Sequence, residues 1–440
     1  VHQARSFSKH PPLAYLAGQT PWRGTMGVRD KIASMRFDSS LIGLKSTLPP
    51  PFAKTATARL PLRVELIERS GGQSVLAVNV DKVASAQLLL DASASSGVRR
   101  GMVSLGGAAA TLPSTDGLWI RGKLDVVDVD TWQGVFSGGS GDGDSQPGIA
   151  GVDLQIGILD VNRRRYHDLK VAATRRDAAW QATLAGREVA GQVSWASEGD
   201  GKLVARLSKF VLPPLATEIQ ASKPGGPAEQ RLPSVDVVAD SFTYEGKELG
   251  RLTVLAQPET SGWRLQSLEI VNPESKFAMS GRWTIGQTSR TDAKVKLDVS
   301  DVGKFLTRLG SPDSMSGGTA TLDGPINWSG SPAQFHIPSL SGQLTLEVKN
   351  GRFQQIDTGG GKLLAILSLQ ELPRRVTLDF RDVFSSGFSF DRISANLNIA
   401  SGVADTQNFK MEGSAARVAI SGQVDLARET QNLSVRVTPS

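Results

Sequence analysis

Lys294-Val295-Lys296-Leu297-Asp298-Val299 is the stretch that decides the fold. Successive side chains of an extended chain point to opposite faces, so Val295, Leu297 and Val299 share one side and Lys294, Lys296 and Asp298 the other. The same reading holds outward in both directions. Val152, Leu154, Ile156 and Ile158 alternate with Asp153, Gln155 and Gly157, and Leu344, Leu346 and Val348 alternate with Gln343, Thr345 and Glu347. The pattern returns at Leu397 and Ile399, at Val418, Ile420, Val424 and Leu426, and at Leu433, Val435 and Val437. Each run predicts a strand with one apolar and one wet face. Ser70-Gly71-Gly72, Lys349-Asn350-Gly351 and Ala400-Ser401-Gly402 read as hairpin turns between such strands.

Internal echoes support a repetitive body. A glycine, a polar residue and an apolar one recur at Gly122-Lys123-Leu124, Gly191-Gln192-Val193, Gly342-Gln343-Leu344 and Gly422-Gln423-Val424. Lys123-Leu124-Asp125-Val126-Val127-Asp128-Val129 is nearly restated by Lys296-Leu297-Asp298-Val299-Ser300-Asp301-Val302, and Leu169 to Trp180 has the spacing of Leu252 to Trp263. The intervals are uneven, which predicts a degenerate array of β-hairpins and not a solenoid of fixed period. Short helices are expected over 130–136, 302–309 and 361–372, the last stopped by Pro373. The divisions expected are a β-repeat segment over 1–136, a flexible Gly/Ser/Asp loop over 137–148, a second β-repeat segment over 149–350, and a C-terminal segment with one helix over 351–440.

The chain has 440 residues, 49 Lys+Arg against 43 Asp+Glu, 46 Gly, 22 Pro, 4 His and no Cys. Without Cys there are no disulfides, thiolate metal sites or Cys nucleophiles. A net charge of +6 over this length is too dilute for a nucleic-acid surface. At about 12 residues per strand and turn, there is room for on the order of 30 strands, or roughly 140 Å of flat sheet. Open sheets rarely exceed about 10 strands without curling or splitting. With so few helices to cover it, the apolar face either closes into sandwiches or curls into a trough covered by something other than protein.

No motif points to catalysis. Asp125, Asp128, Asp130, Asp142 and Asp144 suit wet strand faces and turns as well as they suit calcium. Gly359-Gly360-Gly361-Lys362 lacks the upstream glycine and the following Ser or Thr of a phosphate loop. His2, His10, His167 and His336 share no spacing with an acid and a nucleophile. No enzyme activity, cofactor or metal is expected.

The stretch Gly361-Lys362-Leu363-Leu364-Ala365-Ile366-Leu367-Ser368-Leu369-Gln370-Glu371-Leu372-Pro373-Arg374-Arg375, continuing to Phe388-Ser389-Phe390-Asp391, resembles a stretch near the end of the YhdP-type proteins of the AsmA-like family. Met411-Glu412-Gly413, Gly422-Gln423-Val424-Asp425-Leu426 and Val435-Arg436-Val437-Thr438-Pro439 are similar to the strands that follow it there. Ser39-Ser40-Leu41-Ile42-Gly43-Leu44 with Leu48-Pro49-Pro50-Pro51-Phe52 is similar to that family's central region. The resemblance implies a bridge-like lipid-transfer protein of the Gram-negative envelope, with a long curled β-sheet whose hydrophobic groove passes phospholipids between inner and outer membrane. It also implies a periplasmic location, with an inner-membrane anchor and a delivery end outside residues 1–440; the chain then reads as a central to C-terminal section.

The expectation is therefore a mostly β protein: an elongated, curled antiparallel sheet of repeated hairpins with a few short helices, forming a hydrophobic groove. Its lining is expected at Val152, Leu154, Ile156, Ile158, Val295, Leu297, Val299, Leu344, Leu346, Val348, Leu397, Ile399, Val418, Ile420, Val424 and Leu426. The partners expected are phospholipids and the two membranes, with no nucleic acid. The alternative is a structural or adhesive envelope protein whose alternating residues fill a closed β-sandwich core and hold no lipid. A transmembrane β-barrel fits less well, because its aromatic girdles need more than 3 Tyr.

Overall fold

The computed structural model describes residues 11–29, 32–69, 71–91, 93–94, 97–137, 148–215, 232–286, 289–332, 335–354 and 388–439. The expected helix over 361–372, most of the loop over 137–148 and the turn residue Ser70 lie outside them. The described chain is mostly β, with two short α-helices. It divides into two compact units, Val1–Ala196 with Pro213–Ser222, and Ser197–Leu212 with Lys223–Ser440.

The strands of the first unit are β1 (Leu16–Gly18), β2 (Trp22–Arg29), β3 (Ile32–Ser39), β4 (Leu44–Ser46), β5 (Leu62–Glu68), β6 (Gln73–Val80), β7 (Ala84–Asp91), β8 (Val98–Leu105), β9 (Gly117–Asp128), β10 (Ile149–Val161), β11 (Arg164–Arg176), β12 (Ala179–Ala185) and β13 (Val189–Ala196). β1 and β4 form a separate antiparallel pair. The others pair in chain order from β2 to β13. Two of these pairings, β8 with β9 and β9 with β10, are parallel, which a meander of hairpins does not predict. Parallel neighbours need a connection that returns along the sheet. Helix α1 (Val129–Ser137) belongs to the second return, as expected near 130–136.

The first return, over 106–116, is tied to the polar face. Ser85 Oγ donates to Ala108 O at 2.8 Å and accepts from Ala110 N–H at 2.7 Å, and Arg121 Nη2 donates to Ala109 O at 3.0 Å. Arg121 Nε also donates to Ser104 Oγ at 3.1 Å. Ser85, Ser104 and Arg121 lie opposite one another on β7, β8 and β9, so this connector runs over the wet side.

The strands of the second unit are β14 (Lys202–Leu212), β15 (Ser234–Tyr244), β16 (Lys247–Glu259), β17 (Gly262–Asn272), β18 (Ser275–Thr284), β19 (Arg290–Val299), β20 (Met315–Ser329), β21 (Ser341–Phe353), β22 (Phe388–Ala400), β23 (Val403–Glu412), β24 (Ala416–Asp425) and β25 (Thr430–Pro439). They also pair in chain order. Only the first pairing, β14 with β15, is parallel. Helix α2 (Val302–Arg308) joins β19 to β20, within the 302–309 expected. Its N-cap is Asp301, which accepts from Lys304 N–H at 3.0 Å and satisfies one orphan donor of the first turn.

One expected turn is not a turn. Lys349-Asn350-Gly351 sits inside β21, where Asn350 takes φ 53° opposite Gly317 and Gly318 at 61° and 81°. One left-handed residue faces two, so the strand pair kinks and continues. Ala400-Ser401-Gly402 does turn, with φ 50° at Ser401 and 78° at Gly402, the backbone a two-residue hairpin requires. The echoed glycines have a steric reason. Gly122 has φ 141°, and a Cβ there lies 2.2 Å from Leu105 O; Gly422 has φ 133°, with Asn432 O equally close.

Candidate functional site

Residues opposite one another across paired strands share a face. In the first unit Phe37, Val64, Val78, Ala86, Val103, Ile120, Val152, Ala173, Ala182 and Val193 are successive partners from β3 to β13, an unbroken apolar row across ten strands. A second row begins at Leu62 and runs through Val80, Ala84, Leu105, Gly122, Leu154, Val171 and Leu184. None of the ten residues of the first row is buried: nine are half-buried and Phe37 is 40% exposed. A sandwich core would bury them almost completely. Here the connector over 106–116 covers the polar face, and the aliphatic face keeps access to solvent.

The wet face of this unit is held by charge pairing. Asp38 accepts from Arg36 Nε at 2.7 Å and Arg63 Nε at 2.8 Å, and these hydrogen bonds hold its carboxyl below the usual aspartate value. Asp91 accepts from the Ser93 hydroxyl and backbone N–H and from Gln73 Nε2, which pulls its pKa down to about 2 and fixes the β7–β8 turn.

The second unit carries the same kind of row. Leu207, Ala239, Leu252, Ile270, Phe277, Leu297, Leu322, Leu346 and Ala395 are successive partners across nine strands. A register shift in β23 interrupts it before Phe409, Ile420 and Val435. Its setting differs from that of the first unit. Val299, Val348, Phe353, Phe388, Phe390, Ile393, Phe409, Met411, Val418 and Ile420 are buried together, and Val302, Phe305 and Leu306 of α2 pack with them. This end of the face is closed by protein. Three tryptophans lie on the same face near the opposite strand ends, each with its indole N–H bonded inside the unit: Trp263 to Pro233 O at 2.8 Å, Trp283 to Ser289 Oγ at 2.8 Å and Trp328 to Ser331 O at 3.2 Å.

The residues read from the sequence fall on these rows with different surroundings. Val152, Leu154 and Ile158 are half-buried on the apolar face of the first unit, and Ile156 beside them is buried with its partner Leu169. Val295, Val299, Val348, Ile399, Val418 and Ile420 are buried in the second unit; Leu297, Leu344, Leu346, Leu397 and Val424 are half-buried there. Leu426 lies in the turn beyond β24. Sequence reading passed over β3 and β5 to β8, although Leu62-Arg63-Val64-Glu65-Leu66 carries the same alternation. It read Trp180 only as the end of a repeated spacing and passed over Trp195, because isolated aromatics give no periodic signal.

The acidic residues weighed for calcium have ordinary partners. Asp128 accepts from Thr131 N–H at 2.9 Å and Thr131 Oγ1 at 2.6 Å at the start of α1, and Asp130 accepts from Asn162 N–H at 3.0 Å. Among the described residues no group of three or more His, Asp or Glu is arranged to hold a metal, and no helix is long and apolar enough to cross a membrane. Asp142, Asp144, His2, His10 and Gly359 to Lys362 lie outside the described residues. The described residues offer aliphatic surface in bulk.

The family described as YhdP protein matches residues 1–440. The chain belongs to the YhdP family. The intermembrane phospholipid transporter YhdP of Escherichia coli (strain K12) is 22% identical over 452 residues, an alignment covering 96% of this chain and 34% of that protein. This YhdP-family chain thus spans about a third of the length of that curated relative. No solved structure matches it.

Proposed function

We propose that this section of a YhdP-family protein carries phospholipid, as cargo and not as substrate of a reaction, with acyl chains resting on the apolar face of the first unit. The observation that carries the proposal is the row from Phe37 to Val193, apolar across ten strands yet nowhere buried. The name of the Escherichia coli relative adds the cargo class. An acyl chain of about 16 carbons exposed to water costs on the order of 13 kcal/mol at about 0.8 kcal/mol per CH₂. An uninterrupted aliphatic surface offsets much of that at every step, and a row without a deep pocket leaves the chain free to move on. In this reading the closed end of the second unit is structural, the section works in the periplasm, and the two membranes are reached by parts of the protein outside residues 1–440.

Photo-crosslinkers at Val103 and Val152 test it. Exposed to phospholipid vesicles, both positions capture lipid; crosslinks confined to neighbouring strands contradict the proposal. Val152→Asp lowers lipid capture about tenfold, the effect of roughly 1.4 kcal/mol, while Gln155→Asp on the wet face leaves it unchanged.

A further inference from the structure

One step outward from the row Ala173, Ala182, Val193, the next residues on the same face are Arg175, Trp180 and Trp195, again successive partners on β11, β12 and β13. Each lies within two residues of a strand end, so this is the rim of the apolar face. Arg175 is exposed, and among the described residues no carboxylate pairs with it, although Asp177, Glu198 and Asp200 lie at the same rim in sequence. Both indoles are half-buried, and neither N–H has a protein partner or is shut off from water. The repeat of this element in the second unit makes the contrast. There Pro258 stands in the place of Arg175, and Trp263 is buried with its N–H bonded to Pro233 O.

An unpaired guanidinium beside two indoles whose bodies are apolar and whose N–H groups are wet is suited to one kind of ligand: an anionic head joined through polar linkages to a hydrocarbon tail. The geometry points to a phospholipid headgroup subsite, with Arg175 taking the phosphodiester and Trp180 and Trp195 the glycerol-ester level. This rests on the acyl-chain reading above. Two residues along a strand span about 7 Å, so a phosphate at Arg175 starts its acyl chain at Ala173 and lays it over half-buried Val171, towards Leu184 on β12. The committed ligand is one phospholipid monomer, because only a molecule with both parts uses both features. A free phosphate uses the guanidinium alone.

The test uses the full chain and three probes: dihexanoyl phosphatidylglycerol below its micelle concentration, dihexanoylglycerol, which lacks the phosphate, and glycerol phosphate, which lacks the tails. Binding is followed by tryptophan emission, and the Trp180→Phe/Trp195→Phe variant locates the signal. Arg175→Ala is expected to weaken phosphatidylglycerol about tenfold, the loss of one charge-assisted hydrogen bond, with Arg175→Lys recovering part of it and dihexanoylglycerol unaffected. The double-tryptophan variant is expected to lose most of the emission change. Unchanged phosphatidylglycerol affinity in Arg175→Ala, with binding still weakened about tenfold by Val152→Asp, overturns the headgroup subsite and leaves the acyl reading standing. Tight, Arg175-dependent binding of glycerol phosphate assigns the site to free phosphate and overturns it too. Failure of both lipids to bind removes the acyl reading and the subsite with it.

Discussion

A single glycine shows how the sheet constrains its sequence. At Gly122 the backbone φ of 141° disfavours any side chain, and a Cβ meets Leu105 O at 2.2 Å. Gly122→Ala is expected to cost about 1–3 kcal/mol, seen as a lower urea midpoint. Gly134, on α1 with open space around it, gives the opposite sign: Gly134→Ala should gain up to about 1 kcal/mol from helix propensity. Equal effects at the two positions would contradict this account of the echoed glycines. Residue by residue, alternation was legible, as Val295, Leu297 and Val299 show by sharing a face. Whether a face is open was not, because a residue packed in a core and one lining a groove alternate identically. Val152 and Val418 read the same in sequence, and only the second is buried. Lys349-Asn350-Gly351 misled for a related reason: a left-handed Asn before Gly serves a bulge as well as a turn, and the cross-strand glycines that choose between them are more than thirty residues away.

Among the elements, α2 depends on one partly buried ion pair. Glu274, 6% exposed in the β17–β18 turn, accepts from Arg308 through Nε and, at 3.1 Å, through Nη2; Arg308 Nη1 also donates to Glu248 O at 3.0 Å. These bonds from Arg308 hold the Glu274 carboxyl below its ordinary value of 4.5. A depressed carboxylate contributes stability that is fully present above the ordinary value and lost as pH falls through the folded one. Thermal unfolding is expected to show α2's unit losing stability on acidification below that range. Glu274→Gln should remove about 2 kcal/mol at neutral pH and flatten this dependence; a variant with the wild-type acid profile assigns the loss to other carboxylates. The parallel pairings β8–β9, β9–β10 and β14–β15 were not legible, because the direction of a strand after a long connection leaves no mark on its alternation.

Across the whole chain, both units use the same alternating strands for different ends. The second unit fills part of its apolar face with Phe353, Phe388, Phe390, Phe409 and the side chains of α2. The first carries a row of ten partners of which none is buried. On the function proposed above, the choice between closed core and open trough has a different answer in each unit. The most direct measurement compares one photo-crosslinker at Val152 with one at Val418 in the full chain mixed with phospholipid vesicles. The account predicts lipid adducts at Val152 and only protein crosslinks at Val418. Protein crosslinks alone at Val152 would contradict it.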